Sequence, residues 1–248
     1  MIENLVITIL AAGEGKRMKS DVPKVLHLFN GKPMLVRIIE TTLLLNPTKI
    51  VIITGKFHEL IKTTLSDYFD INNSIIEFVI QKIPQGTGDA IRCCLSCYDK
   101  GDKVLILNGD MPLINKEVLE KFIQNSNNSD MSILVARLTN PYGYGRIIFN
   151  EEGEFTQIIE EKDCNEEQKK MNIVNSGLYF ITSEILQLYI PFIENINAQK
   201  EYYLTDIVKI VKENKKTQIH TYLIDEKENS IISGVNTPEE LFKLELAF

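Results

Sequence analysis

Apolar and polar positions alternate in blocks along the first 140 residues. LVITIL, residues 5–10, is a continuous apolar or β-branched run, the pattern of a strand covered on both faces. Pro33 stands where a helix begins, and Met34, Leu35, Ile38, Ile39, Thr42 and Leu43 follow at helical spacing. Residues 50–54 predict a second strand, closed by Gly55. Residues 57–68 predict a helix with Phe57, Leu60, Ile61, Leu65 and Tyr68 on one side. Strands over 75–81, 104–107 and 131–138 alternate with a helix starting at Thr87 or Gly88 and another over 116–124. This order predicts an α/β fold: a Rossmann-like open, mostly parallel sheet with helices on both faces. Such sheets bind ligands beyond the carboxyl ends of their strands. Here those ends lead into AAGEGKRM, TGK, QKIPQGTG and NGDMP.

The pattern changes after about residue 143. GYGRIIF, EFTQIIEEKD and IVNSGLYFI predict shorter strands in an inserted antiparallel portion. Helices follow over 183–189, 204–213 and 238–246. The last opens on Thr237, then Pro238-Glu239-Glu240: a hydroxyl cap, proline in the first turn and acids near the positive helix end. NSNNSD, 125–130, reads as a polar surface loop. No internal repeat is visible.

Composition narrows the function classes. The 248 residues, 44% hydrophobic and 25% charged, fit one compact unit that needs no disulfide staples. No apolar run approaches the ~18 residues of a membrane span. MIENLVITIL lacks the basic start and cleavage site of a signal peptide, so a cytoplasmic protein away from membranes is expected. A net charge of -7 argues against general nucleic-acid binding. A phosphate ligand must then meet a local cluster, and Lys16, Arg17, Lys19 and Lys24 form one. Cys94 and Cys97 make a C-x-x-C, but no second pair stands at zinc spacing, so the cysteines read as helix fillers in a reducing compartment.

AAGEGKRM is neither a Walker A loop nor a Rossmann fingerprint, because its glycines stand two apart and Met18 occupies the third-glycine position. A glycine-rich loop after a first strand still offers backbone N–H groups to phosphate; the alternative is a tight basic turn. Asp110 follows the strand VLIL. It reads either as a Mg²⁺ ligand beside polyphosphate or as a carboxylate capping the turn before Pro112. Gln81 has a donor and an acceptor, which suits the imide edge of uracil or thymine; the alternative is a surface glutamine. The three histidines are scattered, and no nucleophile–base set is legible. That absence suits an anionic nucleophile. A phosphate monoester, with its second pKa near ~6, needs positioning and charge neutralisation and no base.

LAAGEGKRM, SDVPKVLHLFNGKPML, QGTGDA, NGDMPL, NPYGYGRI, EEKD, VNSGLY, EYYLTD and GVNTPEEL occur in this order along nearly the whole chain. The set resembles the sugar-nucleotide pyrophosphorylases. Within them it is most similar to the uridyltransferase half of the bacterial bifunctional enzymes that also carry a glucosamine-1-phosphate acetyltransferase. The resemblance implies a nucleotidyltransferase joining UTP to N-acetylglucosamine 1-phosphate with Mg²⁺ and releasing pyrophosphate. It implies that the backbone of Leu10, Ala11, Ala12 and Gly13 holds the nucleotide, with Lys24, Gln81, Gly86, Thr87, Asn108 and Gly109. By the same resemblance Arg17, Lys24 and Asp110 would carry the catalytic roles, and Asp110 and Asn236 would hold the metal. Gly145, Glu160, Asn175, Tyr203 and Thr205 would bind the sugar. The chain is expected to form a single nucleotidyltransferase domain, 1–248, with a mainly nucleotide-binding part, 1–140, a mainly sugar-binding part, 141–235, and a C-terminal helix, 236–248. Asn108 stands where the family commonly has an aromatic residue, Lys16 where a small hydroxyl residue is frequent, and Lys200 where a glycine often precedes EYY. The bifunctional relatives continue into a β-helix of hexapeptide repeats. Without it, no acetyltransferase and a monomer or weak dimer are expected. Competing readings are a uridylyl- or thymidylyltransferase for another sugar 1-phosphate such as glucose 1-phosphate, a glycosyltransferase, and a non-catalytic regulatory homologue.

Overall fold

The computed structural model describes residues 3–126, 128–213, 217 and 219–248. Asn127 of the predicted loop 125–130 lies outside them. Strand β1 (Leu5–Leu10) leads into the glycine loop, and a short hairpin of β2 (Leu28–Phe29) and β3 (Lys32–Pro33) precedes α1 (Met34–Leu43). Then come β4 (Lys49–Thr54), α2 (His58–Ser66), β5 (Ile76–Ile80), α3 (Thr87–Cys93), β6 (Lys103–Asn108), α4 (Lys116–Ser126) and β7 (Met131–Arg137). The second half holds β8 (Arg146–Phe149), β9 (Phe155–Ile159), α5 (Glu166–Lys169) and β10 (Ile173–Thr182). It closes with α6 (Ser183–Tyr189), α7 (Ile207–Glu213), β11 (Ile219–Leu223) and α8 (Pro238–Ala247).

The main sheet runs β11-β7-β10-β6-β1-β4-β5, and β8 branches from β10 to pair with β9. β1 lies between β4 and β6, parallel to both. Its alternation explains the layers. Leu5, Ile7 and Ile9 join Leu35, Val36 and Ile39 of α1 and Phe122 of α4 in one cluster. Val6 joins Ile91 of α3, Cys94 just beyond it and Ile207 of α7 in the other. Both faces are therefore dry, as the unbroken apolar run predicts. Each such Leu or Ile contributes about 1.5–3 kcal/mol by leaving water.

The mostly parallel, helix-covered sheet is as predicted. β10 is not. It was expected in the inserted antiparallel portion, yet it runs antiparallel between β6 and β7 in the main sheet. Its composition explains this: Leu178 and Phe180 enter one core cluster while Tyr179 and Ile181 enter the other. The antiparallel branch is the β8–β9 hairpin, tied to the sheet where Val174 pairs with Arg146. β11, at the edge beside β7, was not predicted. α8 docks by Leu241 and Leu244 on a small cluster of Met18, Phe29, Met34 and Val235, which fixes it against the glycine loop.

Candidate active site

The carboxyl ends of β1, β4 and β6 build one rim. Ala11 still donates to Ile53 O at 2.8 Å, and Gly109 donates to Leu10 O at 2.9 Å, so the loops leave the sheet side by side. A side chain at Gly109 would stand 2.9 Å from Leu10 O, so the close approach of these two loops requires glycine there. Gly15 has φ +62°, and a Cβ on it would lie 2.7 Å from the Lys24 Cβ: the glycine loop folds back onto Lys24. Between them a 3₁₀ turn, Lys16–Met18, buries Met18.

This folding sorts the cations. Lys24 Nζ pairs with the Asp110 carboxylate and donates to Asn236 Oδ1 at 3.0 Å. Arg17 Nη2 donates to the same Asn236 oxygen at 3.0 Å. Lys16 turns outward, paired with Glu14 at 3.0 Å. Val235 N donates to Asp110 O at 2.9 Å, stitching the segment before α8 to the NGD turn. Thr237 accepts from Glu240 N at 3.1 Å, and Glu240 Oε2 accepts from Asn236 N at 2.7 Å, so the start of α8 also holds Asn236 in place.

Two cavities adjoin at this point, of ≈ 310 Å³ and ≈ 610 Å³, and Leu10, Thr87, Asn108 and Asp110 wall both. The smaller takes in Ala11, Ala12, Gly13, Lys24, Gln81 and Gly86. Gln81 is nearly buried, 3% exposed. Its amide nitrogen donates to Gly86 O at 3.1 Å and Asp89 Oδ2 at 2.8 Å. The donor foreseen for a base edge is thus spent inside the protein, and the acceptor remains. Thr87 Oγ1 accepts from Leu204 N at 3.0 Å.

The larger cavity takes in Arg17, Gly145, Glu160, Asn175, Thr205 and Asn236. Thr205 donates to Glu160 Oε1 at 3.0 Å. Burial raises the Glu160 carboxyl above its usual range, against that hydrogen bond. Both polar ends of Asn175 are engaged: Nδ2 donates to Tyr179 OH at 2.8 Å, and Oδ1 accepts from Gly177 N at 3.1 Å. The β10–β7 register slips between Asn175 and Tyr179, which turns this stretch of β10 into cavity wall. Tyr203 is buried and lines neither cavity, and neither does Gly109. Tyr142, Tyr144, Glu240 and Lys243 line the larger cavity and are not among the site residues expected from sequence. For Glu240 a signal existed, the T-x-x-E spacing of a capping box from Thr237.

Asp110 and Asn236 offer two hard oxygens that converge on one cation, the Lys24 ammonium. That donor set fits a magnesium ion, which takes one or two protein oxygens and completes its shell with phosphate and water. Among the described residues no group of three or more His, Cys, Asp or Glu forms a cage of its own. The four cysteines are free; Cys94, raised to about 12 by burial, bonds with Tyr98 inside the core.

Residues 7–170 match the family described as the MobA-like NTP transferase domain. The chain belongs to that family. A mimivirus protein named probable UDP-N-acetylglucosamine pyrophosphorylase (Acanthamoeba polyphaga mimivirus) is 44% identical over 245 residues, covering 97% of this chain and 95% of its own. The bifunctional protein GlmU of Francisella tularensis subsp. novicida is 40% identical over 241 residues, 97% of this chain but 51% of GlmU. The present NTP transferase thus spans about half of that relative's length. Among solved structures, HddC from Yersinia pseudotuberculosis superposes with a TM-score of 0.67 at 23% identity, over 98% of this chain and 99% of that one. That likeness shows the fold. No helix among the described residues is long and apolar enough to cross a membrane.

Proposed function

We propose that this nucleotidyltransferase is a UDP-N-acetylglucosamine pyrophosphorylase, converting UTP and N-acetylglucosamine 1-phosphate to UDP-N-acetylglucosamine and pyrophosphate. One observation carries the reading. Two adjoining cavities share a wall, and the charged group at that wall, Asp110 with Lys24 and Asn236, joins three separate loops. A reaction between two bound molecules needs this arrangement. The name of the 44% identical relative supports the substrate pair.

The smaller cavity would seat the uridine, with Gln81 against the base and the Leu10–Gly13 backbone against phosphate. The larger would seat the sugar phosphate, with Glu160, Asn175 and Thr205 facing its hydroxyl and acetamido groups. The sugar-phosphate oxygen would attack the α-phosphorus in line with the departing pyrophosphate. No base is needed, because the nucleophile is already an anion near neutral pH. Lys24 and Arg17 would neutralise charge that builds on the attacked and leaving phosphates, worth about 2–4 kcal/mol per well-placed donor. Asp110 and Asn236 would hold magnesium, which supplies charge neutralisation and orientation when bound.

Pyrophosphate release from purified protein with Mg²⁺ tests this, with UTP or dTTP against N-acetylglucosamine, glucosamine and glucose 1-phosphates. Activity confined to UTP and the N-acetylated sugar is the expected result. Preference for another sugar moves the substrate within the family. No release with any pair, from folded protein, overturns the reading.

A further inference from the structure

Asp89 lines neither cavity, yet it holds a residue that lines the smaller one. The Gln81 amide nitrogen has two partners, Gly86 O and Asp89 Oδ2. Both are acceptors with no hydrogen to give. Turning the amide over would set its carbonyl against two oxygens, so the orientation follows from chemistry alone. Gln81 Oε1 has no hydrogen-bond partner among the described residues, so it is the polar capacity left to the side chain of a residue that lines the cavity.

Both partners are themselves held. Gly86 has φ +113°, and a Cβ there would stand 2.5 Å from Tyr202 O, so its peptide is pressed against the 202 backbone. Gly88 N donates to Tyr202 O at 2.7 Å, and Tyr202 N donates to Gln85 O at 2.8 Å. The second Asp89 oxygen faces Arg92 Nη1 at 4.0 Å. Arg92 lies over the Tyr202 ring at 4.5 Å and donates to Ile193 O at 3.0 Å.

We propose that Asp89 is a specificity-determining positioning residue: it locks the Gln81 amide so that the smaller cavity selects a base giving an N–H, the imide of uracil or thymine, over cytosine, which offers a lone pair at the same ring position. This rests on the reading of the smaller cavity as the base site.

The test is Asp89→Asn, which keeps the volume but can donate as well as accept, with Asp89→Ser as a second variant too short to reach Gln81. Relative kcat/KM for UTP over CTP is measured with one sugar phosphate. The expected result is a fall in that ratio of about tenfold or more in both variants, since sites built to hydrogen-bond one partner reject the wrong one by large factors. Part of the preference survives, because Gly86 O remains. Lost folded protein lowers both nucleotides together and leaves the ratio unmoved. A ratio within about twofold of wild type in a folded variant overturns the lock. Calorimetric binding of UMP and CMP gives the same ratio without turnover. A wild-type protein that prefers UMP but converts no sugar phosphate therefore fails the proposed reaction and leaves the lock standing. A wild type with no preference between UMP and CMP overturns the lock itself.

Discussion

Lys24 is where residues far apart in the chain meet: the glycine loop presses on its Cβ, and Asp110 and Asn236 share its ammonium. Asp110→Asn keeps the shape and removes the charge. Turnover should fall about a hundredfold or more, as for loss of one group acting on transition-state charge, while circular dichroism shows the same fold. Full kcat at saturating Mg²⁺ in that variant would sink the assignment of Asp110. Lys200 differs in kind. It sits at φ +56°, a left-handed conformation that costs a residue with a Cβ about 1 kcal/mol. Its backbone N–H donates to Asn197 O at 3.1 Å, which closes the turn before Glu201. Lys200→Gly relieves that cost and gives part of it back as unfolded-chain entropy. The expected thermal midpoint is equal to or above wild type; a lower one would mean that the lysine side chain holds this turn itself.

Among elements, α8 shows how a helix start fixes a residue of the cavity wall. Thr237→Ala removes the hydroxyl that accepts from Glu240 N and should cost about 1 kcal/mol in urea unfolding. An unchanged midpoint would show that the helix is held by Leu241 and Leu244 alone. In the turn before α7, burial beside Asp163 pushes the Asp206 carboxyl up to about 6, with Lys209 opposing. A carboxyl that binds its proton more tightly when folded stabilises the protonated protein. That contribution is full below about pH 4 and is lost as pH rises through about 6. Asp206→Asn cannot ionise, so its midpoint should exceed wild type at about pH 7.5 and match it near pH 4; equal gains at both would exclude ionisation as the cause. Elements were legible where one local rule decided them. β1 read as buried on both faces because nothing polar beyond Thr8 interrupts it, and Thr8 is satisfied by Tyr98 OH at 2.9 Å. The β2–β3 hairpin was missed although Asn30-Gly31 is a turn signature, and both residues take positive φ. β11 was missed because IHTYL is half-buried at a sheet edge and carries little apolar contrast. In the site, the loops were legible from small residues and charges at strand ends. Asp89 was not, because its role depends on an amide that turns toward it from another element.

At the scale of the whole molecule, the sheet order sets what the sequence could not. β4 and β6 flank β1 in parallel, and their register aligns the three loop ends on one rim. The partner of β10 depends on which long-range pairing wins, and that is decided only once the remaining strands exist. β10 is a wedge: it fills the gap between β6 and β7, and its irregular middle forms the wall of the larger cavity. During synthesis at roughly 5–20 residues per second, β6 and β7 leave the ribosome seconds before the strand that joins them. For that interval each shows an open apolar edge, a ready template for the wrong neighbour. A chain cut after residue 140 would stay in that condition permanently. Such a fragment should aggregate or pair with copies of itself in gel filtration, and recovery of a soluble, cooperatively melting monomer would contradict this. Cutting after β7 thus removes a keystone from what remains, and nascent protein passes through an exposed stage that a helper such as a chaperone can shield.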